Sequence, residues 1–353
     1  MSVETKPTDP LAFDFGIGFK SAAERLDGER EDRKVMAGKI LPYHVPFLDD
    51  FTRGIMPHDL ILLGADTGAG KTDMITHVAR QNAMAGKRVF VFALEAEDRE
   101  IERRTKYGLI AEWAFRRNMP IASQLNYVDW YLGKFSESLA ELEREADEFI
   151  RTRLSGLRTY YRGRSFGHDE IHRLLTAIQD QADLIILDHL HYVDVEDENE
   201  NAGYKRLVKM IRHTALEMGK PVILVVHLRK GQGMREPLAP SYERIHGSSD
   251  IAKVSTAVIM LSRAPFAGSE WWKMPTFVSV PKWRTGGACR HVALLNYDIR
   301  TRSYAREYTL GRLESNGTEW TEIEPDRVPP WAHKFIHRGG LSTTPPTPIR
   351  RAR

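Results

Sequence analysis

Residues 60–76 read LILLGADTGAGKTDMIT. The four apolar residues Leu60 to Leu63 suit a strand buried on both faces. Ala65, Asp66, Thr67, Gly68, Ala69, Gly70, Lys71 and Thr72 come next, and a helical pattern continues through Ala85. Strand, glycine-rich loop and helix in that order are the context of a phosphate-binding loop. Small residues let backbone N–H groups turn inward around an anion, and the helix N-terminus adds partial positive charge. Lys71 is placed to reach the β- and γ-phosphates and the Thr72 hydroxyl to ligate Mg²⁺, so ATP and Mg²⁺ are the expected cofactors. The strict pattern has glycine where Ala65 stands, and alanine is small enough for that place. A glycine-rich turn followed by a chance Lys-Thr pair is disfavoured by the elements on either side.

Other apolar runs end in polar residues. Val89 to Leu94 ends at Glu95, with Glu97 just beyond; Leu184 to Leu187 ends at Asp188; Val222 to Val226 ends at His227. In open parallel sheets ligands bind at the C-terminal ends of the strands. Glu95 there can polarise a water that attacks the γ-phosphate, whereas acids opening a helix also serve its dipole. Asp188 fits the acid that holds the Mg²⁺ water shell. His189 and His191 have a spacing open to metal, but no Cys or third ligand is near in sequence.

The 353 residues are enough for one large or two small domains, and 42% hydrophobic with 28% charged content is that of a soluble globular chain. No apolar run reaches bilayer length, and the polar N-terminus has no secretory core. Cys289 is the single cysteine, which excludes an intrachain disulfide and fits a cytoplasmic location. The net charge is +3, yet the six basic residues after Asp326 leave residues 1–326 at −3. A generally basic nucleic-acid binder is excluded, and any strand contact needs a local patch. The long segment from Leu228 to Ile245 offers one, with Arg229, Lys230, Arg235 and Arg244; a solvated loop is the alternative.

Three parts are expected. Residues 1–39 form an arm with a short amphipathic helix, Lys20 to Val35, packed on its own chain or docked on a neighbour. Residues 40–310 form the α/β body, with strands also at Val258–Leu261, Thr276–Val280 and Val292–Tyr297. Residues 311–353, rich in proline and basic residues, read as an irregular tail.

The ordered set LDDFTRGIMPHDLIL, ADTGAGKT, VFVFALEAE, LIILDHL, KRLVKMIRHTALEMGKPVILVVHL, GSSDIAKVSTAVIML and KWRTG resembles the ATPase domain of DnaB-type replicative helicases over roughly residues 40 to 310. The resemblance implies a RecA-like P-loop NTPase fold, with a mostly parallel central sheet flanked by helices. It implies an ATP-dependent DNA helicase or translocase: a homo-oligomer, hexameric by family habit, on single-stranded DNA, with loader or other replication proteins as partners. By resemblance Glu95 is the water-activating carboxylate, Asp188 the Mg²⁺-associated acid and His227 the γ-phosphate sensor. Lys282 and Arg284 resemble the pair that reaches a neighbour's ATP. Two departures stand out. The family has glutamine where His227 stands, and Tyr-Leu-Gln where this chain has His189-Leu190-His191. The first 39 residues are expected to supply a linker-like helix, not the family's globular N-terminal domain. The rival functions are a RecA-like recombination or repair ATPase that does not unwind DNA, and a nucleotide-gated scaffold.

Overall fold

The computed structural model describes residues 21–66, 68–161, 166–195, 199–229, 237–245, 249–265, 270–315, 317–337 and 349–350. The chain divides into two compact units, Met1–Ile40 and Leu41–Arg353. In the first, a capping box opens α1 (Ala22–Leu26): Ser21 Oγ accepts from the Glu24 N–H at 3.2 Å, and Glu24 Oε2 accepts from the Ser21 N–H at 2.6 Å. Gly28, at φ +80°, breaks the single helix expected over 20–35, and α2 (Glu29–Ala37) follows. Neither helix carries a buried residue.

The second unit is built on one sheet. Its parallel half comprises β1 (Leu60–Ala65), β2 (Val89–Ala93), β3 (Leu157–Tyr161), β4 (Leu184–Asp188), β5 (Val222–His227) and β6 (Ala257–Arg263), in the order β3-β2-β4-β5-β1-β6. The two-residue period of a strand divides each apolar run between two cores. Ile61, Leu63 and Ala65 enter one cluster and Leu60 and Leu62 the other; Leu184 and Ile186 part likewise from Ile185 and Leu187. Helices α4 (Lys71–Met84), α5 (Glu100–Arg116) and α7 (Ser136–Arg153) line the first cluster, along with α3 (Pro46–Thr52). The short α6 (Tyr127–Tyr131) precedes α7. Helices α8 (His168–Ile178), α9 (Glu200–Met218) and α10 (Ser249–Val254) line the second. No helix among the described residues is long and apolar enough to cross a membrane.

Beyond β6 the sheet turns antiparallel, through β7 (Lys273–Trp283), β8 (Val292–Asp298), β9 (Ser303–Leu313), β10 (Glu319–Glu322) and β11 (Ile349–Arg350). The β6–β7 register slips between Val258 and Met260, opposite Pro281, which has no N–H to give the ladder. The boundary expected at residue 310 falls inside β9, and β10 lies in the stretch read as irregular. What holds it is Trp320: its indole is 1% exposed, donates to the Val292 carbonyl at 3.0 Å, and lies over Gly311, where a Cβ would collide. Asp50 of α3 also reaches this region, accepting from the Tyr308 hydroxyl at 2.7 Å and the Lys334 N–H at 2.8 Å.

If β10 belongs to the fold, Trp320→Ala should cost about 3–5 kcal/mol, the usual loss for a buried large aromatic. Urea unfolding should show a lower midpoint; an unchanged midpoint would mean that β10 is a peripheral strand.

Candidate active site

Three strand ends and one loop make the site. In the parallel register Ala65 of β1 stands opposite His227 of β5, and Ala93 of β2 opposite Asp188 of β4. The Leu94 N–H donates to the Asp188 carbonyl at 2.7 Å, which ties the segment bearing Glu95 to the end of β4. Loop and strand ends line a cavity of about 550 Å³, with Gly68, Gly70, Lys71, Thr72, Glu95, Asp188 and His227 in its wall.

Gly68 and Gly70 have φ of +77° and +96°, a backbone that side chains rarely adopt. Ala65 is the last residue of β1 and fully buried, so its Cβ is accommodated. No side chain caps α4, so its first N–H groups are left to an incoming anion. Lys71 folds back over the loop, donating to the Ala65 carbonyl at 3.0 Å and the Asp66 carbonyl at 3.4 Å. Burial lowers its pKa, opposed by the charges of Asp188, Glu95 and Asp66. Thr67 lies outside the described residues.

Asp188 is 2% exposed. Its Oδ2 accepts from the Thr72 hydroxyl at 3.2 Å, while its buried Oδ1 has no hydrogen-bond partner. Burial, reinforced by the nearby Glu95 charge, pushes its pKa up to about 6. A buried carboxylate with an orphaned oxygen beside a threonine hydroxyl is a donor set suited to a hard divalent cation.

Glu95 behaves oppositely. His189 Nε2 lies 3.0 Å from Glu95 Oε2 and His227 Nε2 3.8 Å, and these two imidazoles hold the carboxyl well below its usual range, His189 foremost. Glu97 is exposed, bonded to Arg103 at 2.5 Å, and does not line the cavity. Local sequence offers His189 no third metal-binding partner; the fold supplies Glu95 and His227 from two other strands.

Other wall residues escaped the sequence reading. Asp73, in the first turn of α4, binds Arg104 at 2.9 Å and Arg302 at 2.7 Å. Arg302 sits at φ +50° in the β8–β9 turn, with its guanidinium 4.4 Å from the Tyr127 ring centre. No local pattern in the sequence links positions 73 and 302.

The basic residues of the 228–245 segment separate. Lys230 and Arg235 lie outside the described residues, and Arg229 is exposed. Arg244 turns inward, binding Asp66 of the phosphate loop at 3.2 Å and the Arg229 carbonyl at 2.9 Å. Lys282 donates to the carbonyls of Ala252, Lys253 and Ser255, at 2.6, 3.0 and 2.7 Å, and so closes the end of α10. Arg284 is exposed. Its neighbour Trp283 pairs with Ala257 at the start of β6, whereas Ala65 pairs with Leu261, near the end of that strand. Arg284 therefore lies at the opposite end of the sheet from its own phosphate loop.

A mostly parallel core in the order β3-β2-β4-β5-β1-β6, helices on both faces and a phosphate loop between β1 and α4 make a P-loop fold of the RecA-like kind. The chain belongs to the DnaB-like helicase C terminal domain family, whose model matches residues 41–302. The replicative DNA helicase DnaB of Buchnera aphidicola subsp. Baizongia pistaciae (strain Bp) is 22% identical over 219 residues, covering 61% of this chain and 45% of that protein. The chain thus spans less than half the length of that curated relative. Among solved structures, one described as an ATPase domain superposes with a TM-score of 0.64 at 16% identity, covering 84% of this chain and 100% of the other. A DnaB-like replicative helicase, described together with its interactions with primase, gives 0.62 at 16% identity, covering 81% and 67%.

Because burial raises the Asp188 pKa above the unfolded value of 3.8, its carboxylate destabilises the fold increasingly as pH rises from 3.8 to about 6. Asp188→Asn should therefore be more stable than the parent above pH 6, by on the order of 2–3 kcal/mol, and lose that advantage near pH 4. Thermal unfolding of nucleotide-free, metal-free protein across that range is the check; a constant difference would mean that the carboxylate is not desolvated.

Proposed function

We propose that this chain is the ATP-hydrolysing motor domain of a DnaB-like DNA helicase, working as a ring on single-stranded DNA. The observation that carries the reading is the meeting of Lys71, Thr72, Glu95, Asp188 and His227 around one cavity, with Arg284 at the far end of the sheet.

In this reading Lys71 leaves the Ala65 carbonyl for the β- and γ-phosphates of ATP. Thr72 and Asp188 would hold Mg²⁺, which would supply positive charge to offset that of the phosphates. Glu95, fully ionised, accepts a proton from the attacking water. His227, 3.3 Å from Lys71 through Nδ1, stands where loss of the γ-phosphate is felt. Arg284 enters the next subunit's site and stabilises charge on the transferred phosphoryl group. Its exposure and its distance from its own loop favour this trans role; Lys282, held by three carbonyls, orients the segment instead. The hexameric ring and dealings with loader or other replication proteins follow the family.

Strand contact falls to the 228–245 segment, with Arg229, Lys230 and Arg235 facing DNA phosphates in a sequence-independent way. Arg244 is reassigned: its bond to Asp66 links the base of that segment to the phosphate loop, a route by which nucleotide state reaches the strand.

Three measurements test the proposal. Lys71→Ala should lose ATP hydrolysis, and Glu95→Gln should bind ATP but turn over at least 100-fold more slowly, on the order of a lost general base, while Glu97→Gln stays near the parent. Mg²⁺ should raise the melting temperature of the parent more than that of Asp188→Asn. Single-stranded DNA should stimulate the ATPase, and a forked duplex should be unwound. Stimulation without unwinding would favour a recombination-type ATPase, and no stimulation a scaffold.

A further inference from the structure

His189 follows Asp188 at the end of β4 and is 1% exposed. Its surroundings fix its tautomer. The His191 backbone N–H donates to His189 Nδ1 at 3.2 Å, so the neutral ring carries its hydrogen on Nε2. That nitrogen is 3.0 Å from Glu95 Oε2 and 2.6 Å from His227 Nε2. The ring has little freedom to turn: His227 crosses it at 84° with centroids 4.0 Å apart, and Tyr192 packs against it at 4.8 Å. Glu95, by contrast, has a side chain 43% exposed, and its backbone N–H reaches the Asp188 carbonyl of β4 only at 3.4 Å.

The same three residues have the composition of a metal site, with their ligand atoms within 4.8 Å of one another. A neutral histidine that ligates through Nε2 carries its hydrogen on Nδ1 and donates it outward. At His189 that hydrogen would face the His191 N–H. The hydrogen bonds therefore favour a proton, and not a cation, between His189 and Glu95.

We propose that His189 is a positioning residue for Glu95: its Nε2–H holds Oε2 and leaves Oε1 to meet the attacking water. The contact also couples Glu95 to His227. His227 Nε2, 2.6 Å from His189 Nε2, competes with Glu95 Oε2 for the one His189 hydrogen. The proposal rests on the reading of Glu95 as the base.

The test compares steady-state ATP hydrolysis by the full chain carrying His189→Phe, His189→Gln or His189→Asn. Glutamine places its amide N–H where Nε2–H stands; asparagine places it near Nδ1. His189→Phe should lower kcat about 10- to 100-fold, within the range for general-base catalysis, and leave the KM for ATP within about twofold. Glutamine should restore most of the rate and asparagine should not. In a Glu95→Gln background, His189→Phe should slow single turnover no further, since residues acting as a unit are non-additive. Equal rescue by asparagine, an undiminished kcat in His189→Phe, or multiplying losses in the double variant would each overturn the positioning role. Should His189→Phe fail to fold, the glutamine–asparagine pair still decides. Inhibition by added Zn²⁺ that His189→Gln abolishes would overturn it in favour of a metal site. A Glu95→Gln variant that hydrolyses ATP normally would remove the base assignment itself, and the positioning role with it.

Discussion

The site depends on keeping one carboxylate, Asp188, out of water with half of its hydrogen-bonding capacity unused. Four consecutive parallel strands make this possible. Their register brings the ends of β1, β5, β4 and β2 nearly level, so residues from distant parts of the chain meet at one edge of the sheet. Apolar clusters on both faces fix that register, because a slip of one residue would exchange the two faces of every strand. The fold thus holds a group that is unfavourable in isolation, and in the proposed function a bound cation would relieve it. Sites of this kind cost stability in exchange for preorganised charge.

Two carboxylates in one cavity are shifted in opposite directions by their surroundings. Asp188 is buried with a hydroxyl as its neighbour, and its pKa rises; Glu95 is half open and faces two imidazoles, and its pKa falls. Environments that drive paired acids apart divide their roles. In the proposed function the first position holds a cation, and the second, kept ionised, orients the attacking water. His189 adjoins both, next to one acid in sequence and 3.0 Å from the other in space.

Much of this was legible in the sequence because the parallel strands are short apolar runs, each ending in a single polar residue. Glu95, Asp188 and His227 are conspicuous for that reason alone. What the pattern concealed depends on distance along the chain. Asp73 and Arg302 meet across 229 positions, and the β8–β9 turn that presents Arg302 resembles any polar hairpin. Strand β10 is four residues long and held by one indole, too little for a periodicity to register. By composition Arg244 reads as a strand contact, yet its guanidinium faces Asp66. Charge on a loop says nothing of direction. The His189 contact needs the ring's tautomer, which only its neighbours fix.

In the proposed motor, the separation of Arg284 from its own phosphate loop leaves the active site incomplete within one chain, and a ring-shaped assembly rests on that separation. Mixing Lys71→Ala with Arg284→Ala protein tests it most directly, once subunit exchange has been established by a tagged copy. Each variant alone should bind ATP poorly or hydrolyse it slowly. A mixed ring contains interfaces where an intact loop faces an intact arginine, so part of the ATPase activity should return, with a maximum near equal proportions. Normal hydrolysis by Arg284→Ala alone would contradict the shared site, as would exchange with no recovery at any ratio.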